Sequence, residues 1–243
     1  KRKVICSMNI LAIDTSALTA TAAIISDDVL LGEISITTKL THSQTIMPMI
    51  DELLKNLSLS LKDIDLFACS NGPGSFTGLR IGAATAKGLG LALNKPLIHI
   101  PTVDGMAYGL CGYEGLICPI MDARRNQVYT GIYRFVNGEL QIVEEQMAIS
   151  VAELIEKLNS YGEKVTFLGD GVPVYKEQFV NSLVCPYGFA PAHLNRQRAG
   201  AVGALAMKDL AEGKVESARE HKPDYLRLSQ AERERAEKNA SLS

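Results

Sequence analysis

The sequence predicts an α/β protein made of two similar lobes that enclose a cleft. Residues 8–105 contain three short apolar runs separated by turn signals, followed by a helical pattern and a fourth apolar run. Residues 106–228 repeat this order of elements more loosely, without a residue-level repeat. A repeated order indicates a duplicated architecture, and 243 residues with 47% hydrophobic side chains suffice for two lobes. Residues 1–7 are interpreted as a tag or extension, and residues 229–243 as a charged, flexible tail.

The elements of the first half follow from hydrophobic periodicity. Apolar residues alternate or run together in the predicted strands and recur at helical spacing in the helices. Pro48 lies within the first helix, where we expect it to kink the helix or to mark its first turn. The predicted strands are 9–13, 20–26, 29–37, 65–70 and 97–100, and the predicted helices are 42–57, 76–93 and one that begins at Thr102.

The second half is delimited by turn and capping signals. Asn137-Gly138 is a strong hairpin signal, Ser150 and Glu153 form a capping box, and Gly213 is expected to end the last helix. The predicted strands are 116–121, 127–135, 139–143 and 165–168, the predicted helices are 150–158 and 196–212, and residues 181–194 are expected to form a loop.

Composition and residue spacing argue against several classes of protein. A net charge of −2 gives no overall attraction to nucleic acid, and short basic groups such as Arg124 with Arg125 are interpreted as solvated surface. No apolar run approaches the roughly 20 residues that span a bilayer, so no membrane association is expected. Five scattered cysteines without a C-x-x-C pair predict reduced thiols and a cytoplasmic location. The four histidines lack metal-ligand spacing and no serine lies in G-x-S-x-G, so neither a metal site nor a catalytic residue is predicted.

The glycine-rich segment that opens the helix 76–93 has two interpretations. Gly72, Gly74 and Gly78 stand between a strand and a helix, the context of a phosphate-binding turn, but their spacing matches neither the dinucleotide fingerprint nor the P-loop. The alternative is a tight turn that needs positive φ. Each interior glycine of the helix costs about 1 kcal/mol relative to alanine, so close backbone approach must compensate. That approach is either packing within the chain or docking on a partner. The stripe of small residues consists of Gly78, Gly82, Ala86 and Gly90.

The helix 42–57 extends the predicted docking surface. Its apolar arc is wider than one buried face needs, because Met47 and Met49 lie beside the core stripe. Together with the glycine-bearing helix, it could supply half of a four-helix interface. The partner contacts predicted on it are Met47, Ile50 and Leu54.

Two turns are candidates for contact with a nucleotide. Asp14-Thr15-Ser16 follows the first strand, where actin-like and sugar-kinase-like proteins place a carboxylate near the metal-nucleotide. A plain turn closed by a side-chain hydrogen bond fits these residues equally well. Gly169-Asp170 follows a second-half strand and could face the same cleft from the opposite side.

Several segments resemble one known family. Ile13-Asp-Thr-Ser16, His42-Ser-Gln44, the long run Asn71-Gly-Pro-Gly-Ser-Phe-Thr-Gly-Leu-Arg-Ile-Gly82 and Tyr225-Leu-Arg227 are similar to the TsaB (YeaZ) family, which is needed for threonylcarbamoyladenosine at position 37 of tRNA. The resemblance implies the duplicated two-lobe fold of actin, Hsp70 and sugar kinases. It also implies a catalytic TsaD-like partner, a TsaE-like ATPase, a more loosely associated TsaC-like synthase, a homodimer when the chain is alone, and indirect contact with tRNA.

The resemblance also implies that this chain is not itself an enzyme. TsaD-like proteins carry an H-x-x-x-H metal pair where this sequence has Thr102 and Met106, and neither residue can replace a histidine at a catalytic metal. No tightly bound cofactor is expected, and ATP or ADP at a subunit junction is left open. Two other functions are also left open: a stand-alone hydrolase (a peptidase, or an ATPase that uses Asp14 and Asp170) and a sugar-kinase-like enzyme.

Overall fold

The computed structural model describes residues 7–215, so the extension predicted for 1–7 (apart from Ser7), the tail 229–243 and the motif Tyr225–Arg227 lie outside the described residues. The first half comprises β1 (Asn9–Asp14), β2 (Thr19–Ser26), β3 (Val29–Thr37), α1 (His42–Asn56), β4 (Leu66–Ser70), α2 (Phe76–Leu93), β5 (Leu97–Ile100) and α3 (Thr102–Tyr108). The second half comprises β6 (Leu116–Pro119), β7 (Met121–Asp122), β8 (Gln127–Val136), β9 (Glu139–Ser150), α4 (Val151–Tyr161), β10 (Val165–Leu168), α5 (Val172–Ser182), β11 (Tyr187–Phe189) and α6 (Ala199–Ala211).

The first sheet has the strand order β3-β2-β1-β4-β5. The hairpin strands β1, β2 and β3 pair antiparallel, and β4 and β5 continue the sheet in parallel to β1. Alternate residues of the central strands, such as Leu11, Ile13 and Phe67, point to the face covered by α1 and α2 and form one core with them. The carboxyl ends of β1 and β4 therefore meet at one edge, where Asp14 and Ser70 lie together.

The second sheet repeats the same topology. Its order is β11-β10-β6-β8, with β9 on the far side of β8. The strand β6 pairs antiparallel with β8 and parallel with β10, as β1 does with β2 and β4. The helices α4 and α5 then occupy the chain positions of α1 and α2. The predicted duplication is thus present in strand order and direction, and the chain has the actin/Hsp70/sugar-kinase type of two-lobed α/β fold.

Two helices each pack against the sheet of the other half and thereby join the halves. The helix α6 follows the second sheet but packs on the free face of the first, where Val202 and Ala206 meet Ala12 and Ala68. The helix α3 follows the first sheet but packs against the second. Glu33 of β3 receives a hydrogen bond from the Gly200 amide (2.9 Å) and an ion pair from Arg198, which anchors the start of α6. The lobe boundary predicted at residue 105 falls inside α3.

The second half departs from the sequence predictions in several places. The helix α5 was not predicted, because Pro173 and a weak apolar pattern hide it, although proline suits the first helical turn. The strand β11 lies inside the predicted loop 181–194, and β9 runs to Ser150 rather than 143. The helix α6 begins at Ala199 rather than 196, since Arg198 is extended. None of the helices within residues 7–215 is long and apolar enough to cross a bilayer.

Candidate functional sites at the glycine-rich loop and between the lobes

The Asp14 carboxylate is buried and fully engaged by neighbouring hydroxyl and amide groups. Its Oδ1 accepts hydrogen bonds from the Ser16 amide (2.8 Å) and the Ser16 hydroxyl (2.6 Å), and its Oδ2 accepts one from the Ser70 hydroxyl (2.6 Å). Burial raises the pKa of Asp14, while the hydrogen bonds from Ser16 and Ser70 and the nearby His42 act in the opposite direction. The carboxylate therefore closes a turn and ties β1 to β4.

The glycine-rich loop is filled by the chain itself. The Ser75 amide donates to the Ser16 carbonyl (2.6 Å), and Thr15 Oγ1 donates to the Gly78 carbonyl (2.7 Å). A side chain on Gly74 or Gly78 would collide with the Ser16 or Thr15 backbone carbonyl. Gly74 has φ +159°, and the Gly72–Pro73 peptide bond is cis. These glycines thus permit close approach of two loops of the same lobe, which accounts for their presence without a bound phosphate.

The small-residue stripe of α2 packs within the chain. Gly78, Gly82, Ala86 and Gly90 are all buried. A Cβ on Gly82 would lie 2.5 Å from Thr15 Oγ1, and Ala86 belongs to the core that contains Ile13. Of the two alternatives for this stripe, the structure shows the intrachain one. The four residues predicted as partner contacts are buried within the chain, and Gly78 and Gly82 lie against β1 and its turn.

The apolar residues predicted as partner contacts on α1 are partly buried and partly exposed. Ile50 and Leu54 are 1% and 7% exposed because they belong to the first-lobe core, whereas Met47 is 42% exposed. The opposite face of α2 is also open to solvent. We call this set the outer α1–α2 face, and its members are Met47, Thr77, Arg80, Ala84, Gly88 and Leu91.

Thr102 and Met106, the residues that the resemblance places at the metal histidines of the catalytic relative, are inside the protein. Thr102 is fully buried at the start of α3, and its hydroxyl has no hydrogen-bond partner. Met106 is 2% exposed, belongs to the core beneath the second sheet, and accepts a contact from Gln197 Nε2 at its Sδ (3.6 Å). Met106 Cε also lies close to Gly169. Within residues 7–215, no group of three or more histidine, cysteine, aspartate or glutamate residues is arranged to hold a metal.

The second candidate turn, Gly169-Asp170, lies after β10. Gly169 has φ +111°, and a Cβ there would collide with the Ile120 carbonyl, so the turn requires glycine. Burial raises the pKa of Asp170, whereas the Arg196 guanidinium lowers it, and one buried carboxylate oxygen has no partner. The charged groups that act on Asp170 are Arg196 and Asp122. Asp170 thus belongs to a second-lobe cluster, separate from the hydrogen-bond network that holds Asp14.

Sequence reasoning missed Asp122, the second-lobe counterpart of Asp14. Its Oδ1 accepts a hydrogen bond from the Arg124 amide (2.8 Å), as Asp14 accepts one from the amide two residues on. Tyr175 of α5 donates to the same oxygen (2.7 Å). Burial and the Asp122 carboxylate raise the pKa of Tyr175 to about 12. The signal was present in the sequence, since Met121-Asp122 ends the first strand region of its half as Ile13-Asp14 does.

Comparisons with known proteins agree with this architecture. The family model for TsaD, tRNA N6-adenosine threonylcarbamoyltransferase, matches residues 31–235. The chain is 35% identical to the tRNA threonylcarbamoyladenosine biosynthesis protein TsaB of Bacillus subtilis over 93% of this chain and 96% of that protein. It is 31% identical to Escherichia coli TsaB over 90% and 95% of the two chains.

A solved structure extends the comparison. YeaZ from Pseudomonas aeruginosa superposes with a TM-score of 0.74 at 25% identity and covers 90% of this chain and all of that one. Both sequence relatives match over nearly their whole length, so the likeness includes both lobes. The chain therefore belongs to the TsaB (YeaZ) family, whose members act in threonylcarbamoyladenosine modification of tRNA and are related to TsaD.

Proposed function

We propose that this chain is a non-catalytic subunit of the assembly that installs threonylcarbamoyl on adenosine 37 of tRNA, and that it acts through a dimer with a TsaD-like catalytic subunit. The observation that carries the proposal is the packing of Thr102 and Met106. Both are buried, neither offers an imidazole, and the resemblance places them at the metal histidines of the catalytic relative. A side chain that is packed inside the protein cannot at the same time serve as a ligand of an exchangeable metal ion.

The outer α1–α2 face is the proposed docking surface for the TsaD-like subunit. Met47 and Leu91 are 42% and 46% exposed, although both are large and apolar. Ala84 and Gly88 of α2 are exposed small residues that lie one helical turn apart. Small residues let another helix approach closely, and flanking apolar side chains supply the buried area. When no catalytic subunit is present, we propose that the same face forms a homodimer.

The remaining partners follow from the family rather than from contacts within this chain. A TsaE-like ATPase and, more loosely, a TsaC-like synthase would complete the assembly, and tRNA would be bound mainly through the catalytic subunit. Both Asp14 oxygens are used within the chain, which favours a structural turn over a nucleotide contact. We therefore propose that ATP or ADP, if the assembly binds it near this chain, occupies a junction between subunits. No group of three or more metal-ligating side chains within residues 7–215 supports a hydrolase or a sugar kinase that holds its metal with such residues.

A variant of Gly88 tests the docking surface without disturbing the fold. A Cβ at Gly88 meets no atom within 4 Å, so Gly88→Arg should fold and still place a long charged side chain on the outer face. Gly188→Arg is the matched control, because Gly188 in β11 also has open space around its Cα. Gel filtration with the TsaD-like subunit should show a complex for the wild type and the control, but not for Gly88→Arg. Normal assembly by Gly88→Arg would contradict docking through this face.

A further inference from the structure

The turn between β7 and β8 has an unusual backbone. Arg124, Arg125 and Asn126 have φ of 65°, 55° and 58°, three successive left-handed residues without a glycine. In the rest of residues 7–215, positive φ at non-glycine residues occurs only singly. The left-handed region is unfavourable for residues with a Cβ, and glycine adopts it without this cost. Two arginines at these positions therefore cost stability that glycines would not cost.

The turn is also held rigidly from several sides. The Asp122 carboxylate accepts a hydrogen bond from the Arg124 amide (2.8 Å), and the Asn126 side-chain oxygen accepts one from Gln178 Nε2 of α5 (2.9 Å). The Asn126 carbonyl accepts a bond from the Val151 amide at the start of α4 (3.2 Å). Two elements of the second lobe thus fix the backbone before any ligand arrives, which lowers the entropy cost of binding.

Both arginine side chains of this turn are exposed. The Arg124 side chain is 86% exposed, and it reaches back to the Asp122 side chain (3.2 Å), which is 15% exposed. Solvent screens the exposed guanidinium, so this ion pair contributes little to stability. Arg125 is likewise exposed. The equivalent first-lobe turn is built differently. It follows Asp14 with small and apolar residues, has no positive φ over residues 15–18, and lies against the glycine-rich loop. The second-lobe turn instead carries two exposed arginines.

We propose that the Arg124–Asn126 turn is a contact site for the phosphate backbone of the RNA substrate. Guanidinium groups bind phosphate oxygens through two parallel hydrogen bonds, and a preordered pair can engage neighbouring phosphates of one strand. The net charge of −2 makes such contact local, which suits a subunit that adds to tRNA binding rather than dominating it. The inference rests on the proposed function only in identifying that RNA as tRNA.

The test is a salt titration of tRNA binding. Fluorescently labelled tRNA is titrated with the complex of this chain and its TsaD-like subunit at several salt concentrations. We compare the wild type with the double variant Arg124→Gly, Arg125→Gly, in which glycine relieves the backbone and removes both charges. Arg124→Lys keeps the charge, and Lys62→Ala removes one exposed charge from the first lobe.

The double variant should bind tRNA several-fold more weakly at low salt. The slope of log affinity against log salt should fall by about one per arginine. Arg124→Lys should retain most of the affinity and Lys62→Ala all of it. Wild-type affinity and slope in the double variant, or an equal loss in Lys62→Ala, would overturn the inference. Loss of ATP binding with intact tRNA binding would also overturn it, because the turn would then serve a nucleotide.

Gel filtration of the wild-type mixture separates this inference from the proposed function. If the wild-type complex forms and the double variant binds tRNA normally, only the RNA contact is contradicted. Absence of any complex contradicts the proposed function, and the same titration with this chain alone then decides the RNA contact. In that case, equal tRNA binding by the wild type and the double variant, or no binding by either, would overturn the inference.

Discussion

Thr15 donates a hydrogen bond from Oγ1 to the Gly78 carbonyl over 2.7 Å, and the same oxygen lies 2.5 Å from where a Cβ of Gly82 would stand. The turn after β1 thus rests directly on the backbone of α2. Gly78 and Gly82 are required by this contact inside the lobe, whereas Gly88 lies on the opposite, exposed face of α2.

Alanine substitutions at two glycines of α2 should have opposite effects. Gly82→Ala forces the Thr15 side chain or the helix to shift, so we expect the free energy of unfolding to fall by about 1–3 kcal/mol. Gly88→Ala adds a methyl group in open space and should gain about 1 kcal/mol from helix propensity. Urea denaturation of both variants measures the difference. Equal or greater stability of Gly82→Ala would refute the close contact with Thr15.

The pH dependence of stability should report on Asp104 in α3. Burial, together with Glu145 and Asp209, raises the pKa of Asp104 from 3.8 to about 6, against the lowering effect of the hydrogen bond from the Tyr133 hydroxyl (2.7 Å). A raised pKa means that the folded protein favours the protonated acid. This contribution is therefore complete below pH 4 and is lost as pH rises through 6, by up to about 3 kcal/mol.

Asp104→Asn should remove this dependence while keeping an acceptor for Tyr133. We expect the variant to be more stable than the wild type at pH 7.5 and to lose the decline between pH 4 and 6. Thermal denaturation across this range provides the measurement. Parallel stability curves for the two proteins would show that Asp104 does not titrate as its burial implies.

Thiol reactivity should distinguish Cys111 from the other described cysteines. Cys69, Cys118 and Cys185 are buried, and burial raises the pKa of Cys118 to about 12, whereas Cys111 is exposed. Because the thiolate is the reactive form, only Cys111 should react quickly. In a Cys6→Ser background, an aromatic disulfide reagent should label one thiol per native chain and four after unfolding. Rapid labelling of two or more native thiols would contradict the burial of Cys69, Cys118 and Cys185.

Local patterns predicted the first lobe well because its elements have strong periodicity and clear turns. The helix α2 has the predicted bounds, 76–93, and β1 to β3 differ from prediction by one residue at most. The helix α5 escaped prediction because only Tyr175 and Phe179 form its buried side, which leaves little periodicity. Local signals are weakest where an element buries few side chains.

The candidate sites were harder to predict, because they depend on contacts between distant segments. The stripe from Gly78 to Gly90 correctly required a close neighbour, but spacing alone could not identify that neighbour as Thr15 of the same chain. Asp14 and Asp122 each end the first strand region of their half in the sequence, but matching the two sheets strand by strand is what identifies them as counterparts. The left-handed turn at Arg124 was not predicted for a different reason, because none of its residues is a glycine that would signal positive φ.

Reconstituted modification of tRNA tests the non-catalytic role most directly. Unmodified tRNA is incubated with threonylcarbamoyl-adenylate and either this chain, the TsaD-like subunit, or both with the TsaE-like ATPase and ATP, and the nucleosides are quantified by mass spectrometry. We predict no threonylcarbamoyladenosine with this chain alone and sustained formation only when this chain and the catalytic subunit are both present. Modification by this chain alone, or undiminished modification without it, would contradict its role as a required non-catalytic subunit.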